Sequence, residues 1–380
     1  MMIATCKYFF VISVFLVFHS YAGYPISLWL IGLFRKSRAL VTETGFPDVT
    51  FVITAHNEEK RIASKLKNTL ALTYPREKLQ ILVASDGSTD GTNKIVEGKK
   101  DQGVELLAIE KRGGKESAQK EAVAAARGEI IVFSDVATIL DSWGIERIVA
   151  GFIDPAVGCI SSEDRIIGED GLPGGEGMYV RYEMHLRRLE SKVNSLVGLS
   201  GSFFAARREV CNDFSGNMQS DFRTLLNSIK MGLKGIIEPE AVGYYPDIAD
   251  KSREFDRKAR TIIRGLTVFF RHTEFLNVFR YGFFSYQLFC HKLLRWLVPL
   301  FLIISFASNA ILAFYSGIFL GLFVAQLVFY AMAVIGIRRG FQGAVTRIPG
   351  YFLTVNASIL VAWLRFFRKE EIVMWNPSRR

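Results

Sequence analysis

Three polar residues each follow a short apolar segment of the chain, and their side chains have the chemistry of a ligand site. Asn57 follows the segment 51–56, Asp86 follows 79–85 and Asp135 follows 130–134. In an open parallel sheet the carboxyl ends of neighbouring strands line one crevice, and ligands bind there. We therefore predict that Asn57, Asp86 and Asp135 converge on one site.

The segment that begins at Asp86 has the composition of a nucleotide-binding turn. It reads Asp-Gly-Ser-Thr-Asp-Gly-Thr, ends at Thr92 and precedes a predicted helix. Asp and Gly are common in turns of every kind, so this segment alone is weak evidence. Its place between two similar strand ends favours the nucleotide interpretation.

Strand and helix patterns alternate from Val49 to Cys159, which predicts βαβ units and a parallel sheet. Short apolar runs predict buried strands at 49–54, 79–84, 104–109 and 129–134. Ile62, Leu66 and Leu70 share one helical face in the first predicted helix. Five glycines and a proline predict a loop at 168–177, followed by a helix at 178–193.

These motifs, in this order, resemble those of the inverting glycosyltransferases of family 2. The resemblance runs from about Pro47 to Arg271 and implies the α/β fold called GT-A, with a mostly parallel sheet, which we predict over 45–272. The matching segments are Thr54-Ala-His-Asn-Glu58, Ser85 to Thr92, Gly113-Gly-Lys115, the strand ending at Asp135, Gly198 to Gly201 with Arg207-Arg208, and Asp221-Phe222.

The resemblance implies that four residues contact the base and ribose of a nucleotide sugar donor. They are Thr54, Asn57, Glu58 and Asp86. Lys115 resembles a lysine that lies near the donor in the family. The alternative for Glu58 is a carboxylate favoured by the dipole of a helix start, and the alternative for Lys115 is a solvated residue at such a start.

A divalent metal, Mg²⁺ or Mn²⁺, is implied by the resemblance, because the family normally holds one with an Asp-x-Asp motif. This chain reads Asp135-Val-Ala-Thr138, so the second carboxylate is missing. Asp135 is then the expected metal ligand, with diphosphate oxygens and water completing the shell. The missing carboxylate also favours an alternative, a catalytically degenerate member of the family.

Asp221 matches the family's catalytic carboxylate, which takes the proton of the acceptor hydroxyl so that direct displacement inverts the anomeric centre. Ser220 stands where the family usually has another acid. The alternative for Asp221 is the N-cap of the helix that follows. Gly201, in the matching Gly-Leu-Ser-Gly segment, is expected on the acceptor side.

A basic stretch at 251–272 contains Arg257 and Arg260, which resemble the Q/R-x-x-R-W element of processive synthases. Thr261 stands in place of the tryptophan. The resemblance implies that Arg257 and Arg260 contact the donor diphosphate. The alternative is a basic helix that lies at the membrane interface.

Two runs without Lys, Arg, Asp or Glu predict transmembrane helices at both ends of the chain. Tyr8 to Phe34 is 27 residues long and Trp296 to Ile337 is 42, with an interruption near Ser316. About 20 apolar residues cross a bilayer, so we predict an N-terminal anchor at 1–44, an interfacial helix region at 273–296 and two transmembrane helices at 297–337.

A third apolar run, 348–364, contains Pro349, Gly350 and Asn356. We interpret 338–380 as an interfacial or re-entrant segment with a basic C-terminus, and a true span is the alternative. Ser20-Tyr-Ala22 resembles a signal-peptide cleavage site. The apolar run continues to Leu33 and ends at a basic cluster, which favours an uncleaved anchor.

The distribution of positive charge predicts the topology, because cytoplasmic segments carry an excess of Lys and Arg. Basic residues at 35–38, 295 and 338–339 predict an N-terminus outside and a catalytic domain in the cytosol. We expect a multi-pass protein of the cell (inner) membrane, and the net charge of +10 fits anionic lipid. Nucleic acid is not expected as a partner, because the basic residues lack an aromatic stacking platform.

The four cysteines lack paired or metal-like spacing, so reduced thiols are expected. The predicted function is transfer of a sugar, UDP-linked or with GDP as the alternative, to a lipid-linked or glycan acceptor in polysaccharide or glycolipid biosynthesis. Export or polymerisation proteins are the expected further partners. The alternatives are a degenerate scaffold subunit and a processive polysaccharide synthase; the missing tryptophan and the few spans count against the latter.

Overall fold

The computed structural model describes residues 1–35, 45–167, 175–212, 216, 218–246, 251–340 and 343–370. Most of the predicted glycine-rich loop at 168–177, the basic residues 36–38 and the C-terminal residues 371–380 lie outside these ranges. The chain forms two compact units. Of the described residues, Arg35, 45–246 and Thr267–Arg271 form an α/β unit, and Met1–Phe34, 251–266 and 272–370 form a unit of apolar helices.

Fourteen helices are found in the described parts of the chain. They are α1 (Met2–Phe18), α2 (Tyr24–Leu33), α3 (Ile62–Leu70), α4 (Thr92–Glu97), α5 (Lys115–Ala125), α6 (Gly144–Ala150), α7 (Gly175–Val193), α8 (Ser220–Lys230), α9 (Lys251–Arg271), α10 (Val278–Tyr281), α11 (Phe283–Leu288), α12 (Arg295–Leu312), α13 (Gly317–Arg338) and α14 (Ala344–Phe367).

The α/β unit contains one sheet of eight described strands. They are β1 (Val49–Ala55), β2 (Leu79–Asp86), β3 (Val104–Ile109), β4 (Ile130–Asp135), β5 (Ile139–Leu140), β6 (Val157–Ile167), β7 (Phe203–Arg207) and β8 (Lys234–Pro246). Their order across the sheet is β3-β2-β1-β4-β7-β6-β8-β5. Strands β1 to β4 pair in parallel, and β7 is antiparallel to both β4 and β6. The predicted α/β fold with a mostly parallel sheet is confirmed.

The central strands are apolar on both faces because helices cover both faces of the sheet. Every residue of β1 and β2 is buried. On one face Phe51 and Ile53 pack with Ile62 of α3, and on the other Val52 packs with Ala118 of α5. These continuous apolar runs are the reason that the sequence located β1 to β4 to within about two residues.

The strand register brings the predicted site residues to one edge of the sheet. Thr54 of β1 pairs with Ala84 of β2 on one side and with Asp135 of β4 on the other. Since the three strands are parallel, Asn57, Asp86 and Asp135 all follow or end strands at this edge. The convergence predicted from the sequence is found.

Four helices in the described part of the chain are long and apolar enough to cross a membrane. They are Met2–Leu33, Phe283–Leu312, Gly317–Arg338 and Val345–Phe367. The second includes α11 and a π-helical turn, so it begins at Phe283, whereas the sequence predicted a span from about 297 and an interfacial region before it. The break between α12 and α13 falls at the predicted position near Ser316.

Helices α12 and α13 form an antiparallel hairpin. The side chains of Asn309 and Gln326 are hydrogen-bonded at 2.8 Å, and the rings of Phe306 and Tyr330 lie 5.8 Å apart, centroid to centroid. A four-residue connection, 313–316, joins the two helices. The start of α12 and the end of α13 therefore lie at the same end of the hairpin.

Helix α14 contacts that end of the hairpin through both of its own ends. A Cβ at Gly336, near the end of α13, would lie 2.2 Å from the carbonyl oxygen of Thr346. Trp363 Nε1 donates a hydrogen bond of 2.8 Å to the carbonyl of Trp296, near the start of α12. Helix α14 also packs alongside α13, where the rings of Phe329 and Phe352 lie 5.8 Å apart, centroid to centroid. It is unbroken although it contains Pro349.

Candidate donor and acceptor site

Asp86 holds the glycine turn that leads to Lys115. Its side chain is fully buried. Its two carboxylate oxygens accept hydrogen bonds from the backbone N–H groups of Gly113, at 2.7 Å, and Gly114, at 2.8 Å. The sequence predicted a direct contact between Asp86 and the nucleotide. In the structure each oxygen accepts one backbone amide, and contact between Asp86 and a nucleotide stays a prediction.

Two glycines in this region have backbone conformations that favour glycine. Gly114 has φ +92° at the N-cap of α5, and Gly87 has φ +61°. A Cβ at Gly87 would lie 2.9 Å from the backbone nitrogen of Arg112. Both positions thus have a physical reason to be glycine, and the segment 112–114 packs closely on the Asp86 turn.

Lys115, the first residue of α5, reaches across the site to β4. Its Nζ lies 2.5 Å from Asp135 Oδ1 and donates a second hydrogen bond, of 2.8 Å, to the carbonyl oxygen of Gly201. The Lys115 side chain is 10 % exposed and that of Asp135 is 28 % exposed. The alternative of a solvated lysine at a helix start is therefore wrong.

Gly201 also adjoins the predicted catalytic carboxylate. A Cβ at Gly201 would lie 3.3 Å from Asp221 Oδ2. Asp135, Lys115, Gly201 and Asp221 are thus joined by successive contacts. We refer to these four residues as the central cluster; all four were predicted from the sequence.

Asp221 lies in the first turn of α8 and is not its N-cap. The N-cap residue is Gln219, which makes no capping hydrogen bond with its side chain. Gln219 Nε2 instead donates to Asp221 Oδ2 at 3.2 Å. The N-cap alternative for Asp221 is therefore wrong, and the half-buried carboxylate has the accessibility that a base requires. A negative charge in the first turn is also favoured by the helix dipole.

The residues after β1 line the same edge. Thr54 is 1 % exposed, and its hydroxyl has no hydrogen-bond partner among the described residues. Asn57 is exposed and has φ +52°, a left-handed conformation that asparagine tolerates. Its Oδ1 accepts a hydrogen bond of 2.8 Å from the backbone N–H of Thr89, so Asn57 joins the β1 edge to the β2 turn.

Glu58 is buried and engaged with a cation. Its two carboxylate oxygens accept from Arg61 Nε, at 2.7 Å, and Arg61 Nη2, at 2.8 Å. Burial raises the pKa of Glu58, and the Arg61 guanidinium opposes that rise. Contact between Glu58 and a nucleotide stays a prediction.

Lys65 is a site residue that the sequence analysis missed. It lies on α3, it is fully buried, and its Nζ donates to Ser134 Oγ at 2.7 Å and to the carbonyl of Thr138 at 2.6 Å. Burial lowers the pKa of Lys65 to about 7, while Asp135 acts in the opposite direction. The signal in the sequence was a lysine on the helical face that carries Ile62 and Leu66.

Asp164 on β6 was also missed. Its Oδ1 accepts hydrogen bonds from the hydroxyls of Ser200, at 2.7 Å, and Ser202, at 3.0 Å. These serines flank Gly201. Asp164 therefore holds the segment that Lys115 hydrogen-bonds and that Asp221 adjoins. No pattern in the sequence singled it out.

The residues at this edge fit a divalent metal that substrate and protein hold together. Among the described residues, no group of three His, Cys, Asp or Glu side chains is placed to hold a metal ion. Asp135 offers one carboxylate, and Mg²⁺ commonly binds through one or two carboxylates with substrate phosphates. The donor set therefore suits a cation that arrives with a diphosphate.

Arg257 and Arg260 lie on α9, in the unit of apolar helices. Burial and the neighbouring Arg264 lower the pKa of Arg260. Their expected contact with the donor diphosphate stays a prediction, because the central cluster belongs to the other unit.

Comparison with known protein families gives a match to Glycosyl transferase family 2 over residues 50–215. A poly-beta-1,6-N-acetyl-D-glucosamine synthase of Staphylococcus aureus (strain COL) is 27 % identical over 128 residues, which is 33 % of this chain and 31 % of that protein. A beta-monoglucosyldiacylglycerol synthase of a Synechocystis strain is 27 % identical over 128 residues, which is 33 % of this chain and 27 % of the relative. The similarity thus spans less than a third of these relatives.

A solved structure resembles nearly the whole chain. It is the mannosyltransferase PcManGT from Pyrobaculum calidifontis in complex with GDP-Man and Mn²⁺, with a TM-score of 0.73 and 23 % sequence identity. The match covers 96 % of this chain and 100 % of that one. The α/β unit thus has the GT-A-like fold that the motifs implied.

Proposed function

We propose that the protein is a membrane-bound inverting glycosyltransferase, on the basis of the Glycosyl transferase family 2 match over residues 50–215. It moves a sugar from a nucleotide sugar to a lipid-linked or glycan acceptor. The observation that carries the proposal is the central cluster, in which Lys115 binds both Asp135 and Gly201 and Gly201 adjoins Asp221. Groups suited to the departing diphosphate and to the acceptor hydroxyl thus lie on two sides of one backbone segment.

In this mechanism Asp221 removes the proton from the acceptor hydroxyl as that oxygen attacks the anomeric carbon. The bond from the anomeric carbon to the phosphate oxygen breaks on the opposite face, and its electron pair leaves with the diphosphate. Direct displacement inverts the anomeric centre. The carboxylate of Asp221 is half-buried, beside Gln219, and is accessible for this step.

The negative charge of the departing diphosphate is balanced at the donor side of the central cluster, which consists of Lys115 and Asp135. Lys115 supplies an ammonium group, and Asp135 is the proposed ligand of Mg²⁺ or Mn²⁺. When bound, such a cation supplies further positive charge at the departing oxygens. Asp86 supports this arrangement through the backbone of Gly113 and Gly114, which precede Lys115.

We expect a UDP-linked donor, with GDP as the alternative, and a role in polysaccharide or glycolipid biosynthesis. Two of the relatives are named as a polysaccharide synthase and a glycolipid synthase. The structural neighbour was solved with GDP-Man and Mn²⁺. These names support glycosyl transfer as the reaction class. The nucleotide and the sugar of the donor are to be identified by experiment.

The proposed location is the cytosolic face of the inner membrane, where nucleotide sugars are available. Basic residues at 35–38, 295 and 338–339 favour a cytosolic domain. Three spans then place the end of α13 on the cytosolic side. An interfacial α14 on that side would keep the basic residues at 365–369 in the cytosol, and a fourth span, for which Val345–Phe367 is long and apolar enough, would place them outside.

A second candidate function is a degenerate scaffold subunit in a polysaccharide complex. The observation that favours it is Val136-Ala137 in place of a second carboxylate. The intact central cluster favours the enzyme, because a scaffold has no need to join Lys115, Asp135 and Asp221 in one site.

The deciding experiment is transfer by purified protein across a panel of UDP- and GDP-sugars, with Mg²⁺ or Mn²⁺ and a crude lipid acceptor. Transfer that Asp221→Asn abolishes would support the enzyme. A protein that melts cooperatively and yields no transfer or donor hydrolysis with any donor would contradict the proposal and favour the scaffold.

A further inference from the structure

Lys65 is an ionisable side chain in the core of the α/β unit, and it lies outside the motifs that carry the family resemblance. It projects from α3 toward the sheet and is 0 % exposed. Its ammonium lies 5.4 Å from the centroid of the Phe51 ring on β1. The polar partners are Ser134 Oγ and the carbonyl oxygen of Thr138.

These two partners stand on either side of Asp135. Ser134 precedes it on β4, and Thr138 closes the following turn with a hydrogen bond of 3.2 Å from its N–H to the carbonyl of Asp135. The ammonium of Lys65 therefore bridges the beginning and the end of the segment 134–138. Both of these hydrogen bonds come from the same side-chain nitrogen.

A lysine at this position is expected to stabilise the core less than an apolar residue would. Burial of an ammonium group is costly unless hydrogen bonds compensate it, and an apolar residue of similar size often stabilises a core as well or better. The other buried residues of α3 are Ile62, Leu66 and Thr69. The unusual residue at this position is thus the one that contacts the segment carrying Asp135.

We propose that Lys65 is a positioning residue of the donor site, which holds the segment 134–138 so that the lone carboxylate of Asp135 faces the donor diphosphate and its cation. The proposal rests on the donor-side role of Asp135 in the proposed function. Where a site has two carboxylates, two protein ligands fix the position of the cation. Here the single carboxylate of Asp135 depends on the segment around it, and Lys65 holds that segment through Ser134 and Thr138.

The test is calorimetric binding of UDP in the presence of Mn²⁺ to purified full-length protein. Lys65→Met keeps the length of the side chain and removes both hydrogen bonds, and it should weaken Mn²⁺-dependent UDP binding on the order of tenfold. Thr69→Val is the matched control. Thr69 is equally buried on α3, and its hydroxyl bonds only the carbonyl of Lys65, so this variant should lose stability and retain UDP affinity.

Asp135→Ala provides the test of mechanism. If Lys65 acts through Asp135, Lys65→Met should cause no further loss of UDP affinity in the Asp135→Ala background. An equal loss in both backgrounds, or wild-type affinity in Lys65→Met itself, would overturn the proposal and leave the proposed function standing. Unchanged affinity in Asp135→Ala would remove the donor role of Asp135, and the role of Lys65 with it.

Ser134→Ala serves if Lys65→Met does not fold. This variant deletes one of the two acceptors of Lys65 Nζ and leaves Lys65 itself in place. A severalfold loss of Mn²⁺-dependent UDP affinity supports the positioning role. Wild-type affinity in Ser134→Ala contradicts it.

Discussion

Lys115 Nζ lies 2.5 Å from Asp135 Oδ1, and this ion pair joins the helix after the glycine turn to the end of the central strand β4. The same ammonium donates to the carbonyl of Gly201. Lys115 therefore links the donor side of the proposed site with the acceptor side, and a change at this residue should affect both.

Substitution of Lys115 by methionine should weaken UDP binding at least tenfold, because a hydrogen bond to a charged group contributes about 1.5 to 3 kcal/mol. Isothermal titration with UDP measures the effect. Lys120→Met is the matched control, since Lys120 lies on the same helix and is exposed. Equal UDP affinity in the two variants would remove Lys115 from the donor site.

Asp221→Asn should abolish transfer and leave UDP affinity nearly unchanged. A general base contributes roughly 10²- to 10⁴-fold to the rate, and this carboxylate acts on the acceptor. A transfer assay and a UDP titration on the same preparation separate the two effects. Retained transfer would refute the assignment of the base, whereas lost UDP binding would move Asp221 to the donor side.

Asp86→Ala should impair both stability and nucleotide binding. It leaves the amides of Gly113 and Gly114 without their carboxylate partner, and each unsatisfied buried group costs about 1 to 3 kcal/mol. The melting temperature and the UDP affinity should therefore fall together. A variant that melts like the wild type would show that the glycine turn is held by other contacts.

Asp135→Ala should weaken UDP binding only when a divalent cation is present. The reason is that its proposed contribution passes through the metal, which substrate phosphates also ligate. Titrations in Mn²⁺ and in chelator make the comparison, with about a tenfold loss expected in the first. An equal loss in chelator would exclude the metal role.

The buried Lys65 should make stability depend on pH. Burial lowers its pKa to about 7 in the folded protein, whereas an unfolded lysine has a pKa near 10.4. Between these values the unfolded chain binds more protons, so the free energy of unfolding rises with pH. This contribution is complete above the unfolded pKa and is lost as the pH falls to about 7.

The matching measurement compares wild type with Lys65→Met at pH 7 and pH 9. The wild type should gain about 2 kcal/mol relative to the variant over this range. Denaturation or melting in detergent at each pH reports the difference. A constant difference between the two proteins would show that Lys65 does not titrate in this window.

Much of the fold was determined by local pattern. Strands β1 to β4 are apolar on both faces because helices cover the sheet on both sides, and such runs are visible in the sequence. Parallel strands end at one edge, so the convergence of Asn57, Asp86 and Asp135 followed from the order of elements alone. The apolar runs likewise predicted the long helices, although the start of the second one at Phe283 depends on packing between helices.

The partners of the site residues were decided only by the tertiary structure. The composition of the Asp86 turn suggested a nucleotide contact, and only the structure shows that the carboxylate also holds Gly113 and Gly114, 27 and 28 residues away. Lys115 reaches Gly201 across 86 residues, and Lys65 reaches Ser134 across 69. Sequence spacing cannot predict such contacts, because they depend on how a helix packs on the sheet and on which side chains then meet at its edge.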